Sequence, residues 1–532
     1  MNSGIKPYVV KVPFANNNIH LKETINIEDL LNISDPIVSK AVLQITEALK
    51  KANLEKQDIN MVILAGGSSQ LPGVKQKIRE LLGIDPCEIP QNLMLAVSYG
   101  AALYHREIFN LPKARRDKRI LGDTLGILVD DGGRKTRKIL LNQSQTIPAH
   151  ASYKFSIAEG QEIATINLVV MDENTNRNLQ QRNLTLSRSA KEIIVDIEVN
   201  ENRLIILSAY DPENEDEKSI IQCDTSVLTS NDVKKLQQKL GIVVTTGNNK
   251  SGLQDCVGID LGTTTSELTH CNRTGEAGLF ALNNPEPVGE KDLAYSKYCF
   301  PSVVYYKEGM ADIQVANTAA VNAMGSFNEC FDTFKIKDRF KPVGEIEGKP
   351  VMVQDLSALL LSKIWRSAQS ELPVPPSSAV ITVPAAFNFD ECQDTYNAAI
   401  IAGIEKVTLI DEPTAAFYYY KHIQEIDLDG IRNVLVFDFG GGTADVAILD
   451  VQEDALANSD EYKDCVYNVL ATCGDTHCGG RNVDEMLVNE VCKRFEDHNG
   501  CKVSAANMRE LRRKVEAAKI ALSEAYRENA YE

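Results

Sequence analysis

The chain has 532 residues, and its 74 Asp and Glu outnumber its 56 Lys and Arg, which gives a net charge of −18. At roughly 100–200 residues per domain, this length predicts several compact units. An acidic protein repels phosphate backbones, so a nucleic-acid binder is disfavoured. No run reaches the ~18 apolar residues of a membrane span, and the first residues hold no apolar leader, so we expect no membrane association. With 12 Cys and no leader, the sequence predicts a reduced, cytoplasmic protein.

The first 110 residues combine helical periodicity with one buried strand. Apolar residues recur at helical spacing over 35–53, where we expect a helix with Asp35 as N-cap and Pro36 in its first turn. An apolar strand, Met61–Leu64, follows and leads through a glycine pair into a further helix after Pro72. This part is therefore mixed α/β.

The central part has a different pattern. The basic segment LPKARRDKR, 111–119, predicts a solvated linker. Apolar and acidic residues then alternate over 195–199 with the period of a half-buried strand, and a turn and a returning strand follow. We predict an antiparallel β domain, then a short helix from Asp232 to Leu240 capped by Ser230, and a second polar linker.

The last part, 256–532, alternates strands and helices and is predicted to be α/β. The predicted strands and the last strong helix are Val257–Asp260, Ala379–Val383, Val407–Ile410, Val434–Asp438 and 505–525.

Two segments in this last part resemble each other. VGIDLGTTTSEL, from Val257, and LVFDFGGGTADVAIL, from Leu435, each consist of a buried strand ending in Asp, a Gly/Thr turn and another strand. Turn glycines bring successive N–H groups to one concavity that suits an anion, and an Asp at each strand end suits hydrated Mg²⁺. The pair predicts a phosphate held from both sides. Two purely structural hairpins are the alternative.

A third element, VILAGGSSQLPGV from Val62, places a glycine pair between a strand and a helix. With it, the motifs resemble those of the 70-kDa heat-shock chaperone family, within the actin/hexokinase/heat-shock superfamily. The segments that carry the resemblance are DLGTTTS, ITVPAAFN, IDEPTAA, FDFGGGTAD, GDTHCGG, KVEAAKIALS, AGGSSQLP and AVSYGAA. They cover nearly the whole chain.

The order of these segments differs from that of the family, because the second half of the pattern comes first. A circular permutation is one explanation, and a fragment spanning two tandem copies is the other. The resemblance implies a two-lobed actin-like ATPase fold assembled from both ends of the chain, with a β-sandwich-like domain between them. The implied division is 1–110 and 256–532 for the C-terminal and N-terminal parts of the nucleotide-binding domain, 121–240 for a peptide-binding-like domain with the start of a lid helix, and 111–120 and 241–255 for linkers.

The resemblance also implies roles for single residues in binding ATP or ADP with Mg²⁺. Asp260 and Asp438 would hold Mg²⁺ through water, and Asp438 or Asp445 would help orient the attacking water. Lys335, with Lys337 as the alternative, would neutralise charge on the γ-phosphate, and Glu412 would position water. The implied phosphate-binding and adenosine-binding residues are Gly262, Thr263, Thr264, Gly440, Gly441, Gly442, Thr443, Gly66, Gly67, Ser68, Glu516, Lys519 and Ser523. Pro384 matches a proline that senses the nucleotide.

Several positions depart from the family pattern. The apolar inter-domain linker is replaced by charged residues, an Arg of the family is Cys392, and the Arg beside the adenosine-binding Lys is Ile520. In the β domain, the polar residues Asp130, Asp131 and Arg134 and a small Ala164 stand where a peptide would be gripped, and the helical lid is nearly absent. We therefore expect a weakened peptide clamp and weakened coupling between domains.

The sequence as a whole predicts an ATP-binding, slowly ATP-hydrolysing heat-shock-70-like chaperone or co-chaperone. Its expected partners are unfolded polypeptides or another chaperone, with J-domain and nucleotide-exchange partners left open. A nucleotide-held scaffold without turnover is the alternative, and a small-molecule kinase of the same superfamily is disfavoured because it has no need of the β domain.

Overall fold

The computed structural model describes residues 4–16, 18–88, 93–110, 119–131, 134–143, 145–171, 176–186, 190–212, 228–244, 252–274, 278–283, 298–308, 312–316, 319, 330–424, 431–453 and 465–530. None of the helices in these ranges has the length and apolar character that a membrane crossing requires.

The elements follow the three predicted parts of the chain. Those of the first part are β1 (Tyr8–Asn16), β2 (Ile19–Ile25), α1 (Ile27–Ala52), β3 (Met61–Ala65), α2 (Val74–Leu82), β4 (Cys87–Glu88) and α3 (Ala96–Asn110). The central part contains β5 (Arg119–Ile120), β6 (Thr124–Asp131), β7 (Arg134–Leu141), β8 (Thr146–Ile147), β9 (Ala149–Ser156), β10 (Ile163–Met171), β11 (Asn176–Thr185), β12 (Glu192–Val199), β13 (Ile205–Tyr210) and α4 (Ser230–Leu240). The last part contains β14 (Cys256–Asp260), β15 (Thr265–Cys271), β16 (Leu279–Ala281), β17 (Cys299–Pro301), β18 (Val303–Tyr305), β19 (Gln314–Val315), β20 (Cys330–Asp332), β21 (Gly344–Ile346), β22 (Lys349–Val351), α5 (Val353–Glu371), β23 (Ser378–Val383), α6 (Phe389–Ile401), β24 (Lys406–Asp411), α7 (Glu412–Gln424), β25 (Asn433–Phe439), β26 (Ala444–Glu453), β27 (Cys465–Asp475), α8 (Gly480–Asn499) and α9 (Met508–Ala530).

Two mixed sheets share one design. The first sheet has the order β16-β15-β14-β23-β24, with β17 also paired to β15, and the second has the order β27-β26-β25-β3-β4. In each sheet an antiparallel hairpin is extended by two parallel strands. The second sheet joins both ends of the chain, because β25 pairs in parallel with β3, from Val434 opposite Met61 to Asp438 opposite Ala65. The α/β fold expected for the first and last parts of the chain is confirmed.

Helices α3 and α7 pack against each other between the two sheets. Their shared core includes Ile63 of the second sheet and Val380 of the first, so the helices connect the two lobes. The contact is close, since a Cβ at Gly100 would overlap the carbonyl oxygen of Ala415.

Helix α1 starts earlier than predicted, so the helix over 35–53 with an Asp35 cap is wrong at its N-terminus. Asn26 is the N-cap: its Oδ1 accepts the N–H of Asp29 at 2.9 Å, and Asp29 Oδ2 accepts the N–H of Asn26 at 2.9 Å. This reciprocal cap fixes the start of the helix and leaves Pro36 inside it. The backbone hydrogen bond lost at Pro36 is offset by the burial of Ile27 and Leu30 in the extra turns.

The β domain consists of two antiparallel sheets, β11-β10-β6-β7 and β13-β12-β9, packed on one apolar core. Strand β12 alternates buried and less buried residues along Glu192–Val199, as its sequence predicted. Ala164 is buried in this core, whereas the side chains of Asp130, Asp131 and Arg134 lie outside the described residues. The helix after this domain, α4, has Thr229 rather than Ser230 as its cap, since Asp232 N donates to Thr229 Oγ1 at 3.2 Å.

The end of the predicted 111–119 linker is not solvated. Residues 111–118 lie outside the described part, but Arg119 is only 6% exposed. Its guanidinium donates to the carbonyl oxygens of Leu409 in β24 and of Glu201 in the β domain. The expectation of a fully solvated linker is therefore wrong at Arg119, because two backbone carbonyls meet the hydrogen-bonding demand of the buried charge.

Candidate functional site

A cleft of about 320 Å³ lies where strands of the two sheets end, beyond β14 and β24 of the first and β3 and β25 of the second. Its wall contains the residues that the sequence assigned to a nucleotide site, except Asp445, Pro384 and the alternative Lys337. Those in the wall are Gly66, Gly67, Ser68, Asp260, Gly262, Thr263, Thr264, Lys335, Glu412, Asp438, Gly440, Gly441, Gly442, Thr443, Glu516, Lys519 and Ser523. Residues more than 400 positions apart therefore face one space.

The first Gly/Thr turn connects β14 to β15. The two strands are antiparallel, with Asp260 opposite Glu267 in the pair nearest the turn. Gly262 is required by space, because a Cβ there would overlap the carbonyl oxygen of Thr265. The hydroxyl Oγ1 of Thr264 is buried and has no hydrogen-bond partner among the described residues, so it is available to a ligand.

The second Gly/Thr turn connects β25 to β26 and lies against the first. Gly440 N donates to Thr443 O at 2.9 Å and closes the turn. A Cβ at Gly441 would overlap Thr264 Oγ1, and one at Gly442 would lie 2.8 Å from Thr263 Oγ1. Side chains at these two positions would separate the turns. The glycines thus let two sets of backbone N–H groups approach one ligand from opposite sheets.

Lys335 and Glu412 form the cationic and acidic pair of the cleft. Lys335 Nζ lies 3.1 Å from Glu412 Oε1 and also donates to the carbonyl oxygen of Leu261, and both side chains are largely buried. The alternative, Lys337, is exposed and lies outside the cleft wall. The structure therefore brings Lys335, rather than Lys337, to the two turns.

Buried carboxylates crowd the floor of the cleft. Asp260 Oδ1 accepts a hydrogen bond from Thr382 Oγ1 at 2.8 Å, and Asp445 Oδ1 accepts one from Ala386 N at 3.0 Å. Burial, followed by the charge of Glu412, raises the pKa of Asp260 to about 7 and that of Asp445 to about 8. The same two causes raise the pKa of Asp438 well above its ordinary value. A cation beside these groups would favour their ionised forms, so their oxygen donors fit hydrated Mg²⁺.

The wall formed by Gly66, Ser68 and Lys519, where the sequence predicts adenosine binding, is held together by contacts within the protein. Lys519 Nζ lies 2.7 Å from Asp484 Oδ2 and 3.3 Å from Gly480 O, so this ammonium already has partners. Ser68 Oγ donates to Gly440 O at 2.7 Å and connects the glycine pair to the second turn. Gly66 has a φ of 75°, and a Cβ there would overlap Asp438 Oδ1.

Some residues of the cleft wall were not recognised from the sequence, notably Glu267, Arg481 and Asp484. Asp484 could not be assigned because its partner, Lys519, is 35 positions away on another helix. Glu267 did have a signal. It follows the first turn at the position that pairs with Asp260 in a hairpin, so its side chain had to lie beside that carboxylate.

The β domain contacts the first sheet next to Glu412. Arg203, at the turn between β12 and β13, reaches Asp411 of β24, with Nη2 to Oδ1 at 2.7 Å and both side chains buried. Its neighbour Asn202 donates to Val407 O at 3.1 Å and accepts from Leu409 N at 2.9 Å. Asp411 directly precedes Glu412, so the contact is one peptide bond from the cleft.

Cys392 belongs to the same contact. It is fully buried, and its thiol is hydrogen-bonded to Arg203. Burial raises the pKa of Cys392 to about 12, so the thiol is neutral. Burial lowers the pKa of the Arg203 guanidinium, but the charge of Asp411 and the Cys392 thiol outweigh this and raise it. The position at which the family has an Arg is therefore filled by a guanidinium from the other domain.

These sheets, their two facing turns and the cleft between them define the actin-like ATPase fold. A family model described as Hsp70 protein matches residues 7–250 and 256–531, so the chain belongs to the 70-kDa heat-shock protein family. Among curated relatives, the chaperone protein DnaK from two strains of Thermus thermophilus is 33% identical over 285 residues. These matches cover 50% of this chain and 42% of each relative, so the chain spans under half the length of these relatives.

Proposed function

We propose that this protein binds MgATP and MgADP in the cleft and hydrolyses ATP slowly as a chaperone or co-chaperone of the Hsp70 family. The observation that carries the proposal is the contact between the two Gly/Thr turns, in which Gly441 and Gly442 face Thr264 and Thr263. Such paired turns present backbone N–H groups from both sheets to one phosphate chain.

The side chains around the turns can each take a separate role in the transfer of a phosphoryl group to water. Asp260 and Asp438 would hold Mg²⁺ through water, and the metal would supply charge neutralisation of the phosphates. Lys335, 3.1 Å from Glu412, can offer its ammonium to charge that develops on the terminal phosphate. Glu412, or Asp445 with Asp438, can accept a hydrogen bond from the attacking water and orient it.

A weak peptide clamp fits the β domain. Ala164 fills little space in the core, and α4 packs on the first ATPase lobe rather than over the β domain. Lys239 of α4 lies 2.7 Å from Asp355, and Leu240 and Ile242 join the core around α5. We therefore propose a cytoplasmic protein that works with unfolded polypeptides or with another chaperone, without a closed lid.

The nucleotide proposal is tested by thermal unfolding of the whole protein with millimolar MgADP or MgATP. A bound nucleotide raises the melting temperature by mass action. An unchanged melting temperature with both nucleotides would contradict the proposal. Binding without any phosphate release in a sensitive assay would favour the scaffold alternative.

The catalytic proposal is tested with Lys335→Ala against Lys337→Ala. The change at Lys335 should slow hydrolysis by about 100-fold or more while weakening ATP binding much less, because the cation acts mainly as charge develops. Lys337→Ala removes an exposed Lys two positions away and should hydrolyse ATP normally. If Lys335→Ala turns over like the unmodified protein, the assigned role is wrong.

A further inference from the structure

Glu267 is a carboxylate of the cleft floor that the nucleotide-binding roles above do not use. It lies on β15 in an in-register row across the first sheet, between Asp260 of β14 and Cys299 of β17. Its side chain faces the cleft, as does that of Thr265 two residues before it. Directly opposed residues in antiparallel strands have Cβ atoms about 5 Å apart, so the carboxylates of Glu267 and Asp260 lie side by side.

The environment of Glu267 leaves one of its two carboxyl oxygens without a partner. The residue is 2% exposed, and its Oε1 has no hydrogen-bond partner among the described residues. The side chains of Thr265 and Cys299 hydrogen-bond the carboxyl group. A buried oxygen that still lacks a partner is costly, and a bound ion or ligand at the cleft would explain the orphaned Oε1.

The cationic side chains of the cleft are already committed elsewhere. Lys335 faces Glu412, Lys519 faces Asp484, and the guanidinium of Arg481 is 3.9 Å from Asp332. Within the described cleft wall, seven carboxylates face three cationic side chains. A nucleotide with several phosphate charges would add to this excess.

We propose that Glu267 and Asp260 hold a divalent cation beneath the first Gly/Thr turn, in addition to the Mg²⁺ that accompanies the nucleotide phosphates. This inference rests on the proposed nucleotide function, since the second cation would offset charge that the nucleotide brings. Carboxylate oxygens are the ligands that Mg²⁺ and Mn²⁺ accept. In the part of the chain that is described, no three His, Cys, Asp or Glu side chains converge on one point, so water and phosphate oxygens would complete the shell.

The test counts Mn²⁺ bound to the whole protein by electron paramagnetic resonance, with saturating ADP and without nucleotide. With ADP, the unmodified protein should bind a second Mn²⁺ that Glu267→Gln lacks. Without ADP, Glu267→Gln should bind Mn²⁺ about 10-fold more weakly or worse, the usual size of effect when a group supporting a metal is lost. Glu267→Asp keeps the charge and should retain the second ion with reduced affinity.

The matched control is Glu23→Gln, which neutralises a buried carboxylate bonded to His498, outside the cleft wall. It should leave the Mn²⁺ count unchanged. A single Mn²⁺ in the unmodified protein, or the same count in the protein and Glu267→Gln, overturns the inference and makes Glu267 a neutral acid. If Glu267→Gln does not fold, the count in the unmodified protein and in Glu267→Asp decides.

The two proposals fail in different ways. Loss of ADP binding with Glu267-dependent Mn²⁺ binding intact would refute the nucleotide function and keep the cation site. Normal ADP binding with no second Mn²⁺ would refute the cation site and leave the nucleotide function standing.

Discussion

The candidate nucleotide cleft and the contact between the β domain and the first sheet are adjacent, but they are built differently. In the cleft, backbone turns and glycines determine the shape, and the residues stand at the positions expected from the family pattern. In the domain contact, the guanidinium comes from Arg203 on the β domain, while the matching ATPase position is Cys392. A site that is shaped by backbone turns requires a particular residue at each position. In a charge pair between two domains, either domain can supply the positive group.

The domain contact is made by buried polar groups. The charged linker and Cys392 predict weakened coupling, which stays a prediction; the structure shows that Arg119, Asn202 and Arg203 all bond to β24. A further ion pair, Arg177 to Asp390 at 2.8 Å, joins β11 to α6. Buried polar partners thus replace the apolar docking that the sequence lacks.

The largest expected effect concerns the domain contact. Arg203→Met should lower the free energy of unfolding by about 3–5 kcal/mol, because Asp411 would remain buried without its counter-charge. Chemical denaturation measures this change. Lys154→Met breaks an exposed ion pair with Glu192 in the same domain and serves as the control, with little expected change. Equal effects of the two substitutions would show that Arg203 stabilises no more than a surface residue does.

A rescue experiment sharpens the same point. If the penalty comes from the unpaired carboxylate, the double change Arg203→Met with Asp411→Asn should recover part of the loss. No recovery would mean that packing of the Arg203 stem, rather than the charge pair, stabilises the contact.

The second prediction concerns the pH dependence of stability, to which a buried carboxylate beside the cleft contributes. Asp445 has a pKa near 8 in the folded protein and an ordinary value of 3.8 when unfolded. Between these values the folded state binds the extra proton, so stability of the nucleotide-free protein falls as pH rises from about 4 to about 8. Asp260 and Asp438 have raised pKa values too and contribute slope of the same sign, so Asp445→Asn should reduce the slope without removing it. Thermal unfolding at several pH values measures the change.

Asp29 gives a control of opposite sign. Burial raises the pKa of this carboxyl, but bonds to Arg494 and the Asn26 N–H outweigh it, so the pKa lies below 3.8. Its contribution to stability is present above pH 3.8 and is lost as pH falls through the lowered pKa. Asp29→Asn should therefore leave the slope between pH 5 and pH 8 unchanged. If Asp445→Asn leaves the pH dependence of stability unchanged, other groups are responsible for that dependence.

The smallest expected effect concerns the wall of the cleft that we propose binds adenosine, where the chain has Ile520 in place of the Arg of the family pattern. Ile520→Arg should tighten ADP binding about 2–5-fold, the value of a stacking cation worth about 0.5–1 kcal/mol. Binding of inorganic tripolyphosphate is the control, because it lacks the base. Equal tightening of both ligands would point to general charge attraction instead of stacking.

Much of the cleft could be predicted because its determinants are local. A strand ending in Asp, a Gly/Thr turn and a returning strand fix where Asp260 and Asp438 point, whatever surrounds them. Contacts between distant side chains carried no such signal, and Asp484 with Lys519 and Arg203 with Asp411 were missed for that reason. The start of α1 was missed although its signal was local. Asn26 and Asp29 form a reciprocal cap, but Asp35 followed by Pro36 also has the pattern of a helix start.

The pairing of β3 with β25 sets an order of events during synthesis. Strand β3 can pair with β4 soon after it is made, but its other edge has no partner until Val434, which lies 373 positions after Met61, has been synthesised. At about 5–20 residues per second, that delay is roughly 20–75 s. Throughout it, the apolar face of α1, with Leu30 and Ile45, lacks the strands β25 and β26 that later cover it. A nascent chain of this protein therefore presents for that time the kind of exposed apolar surface that chaperones bind.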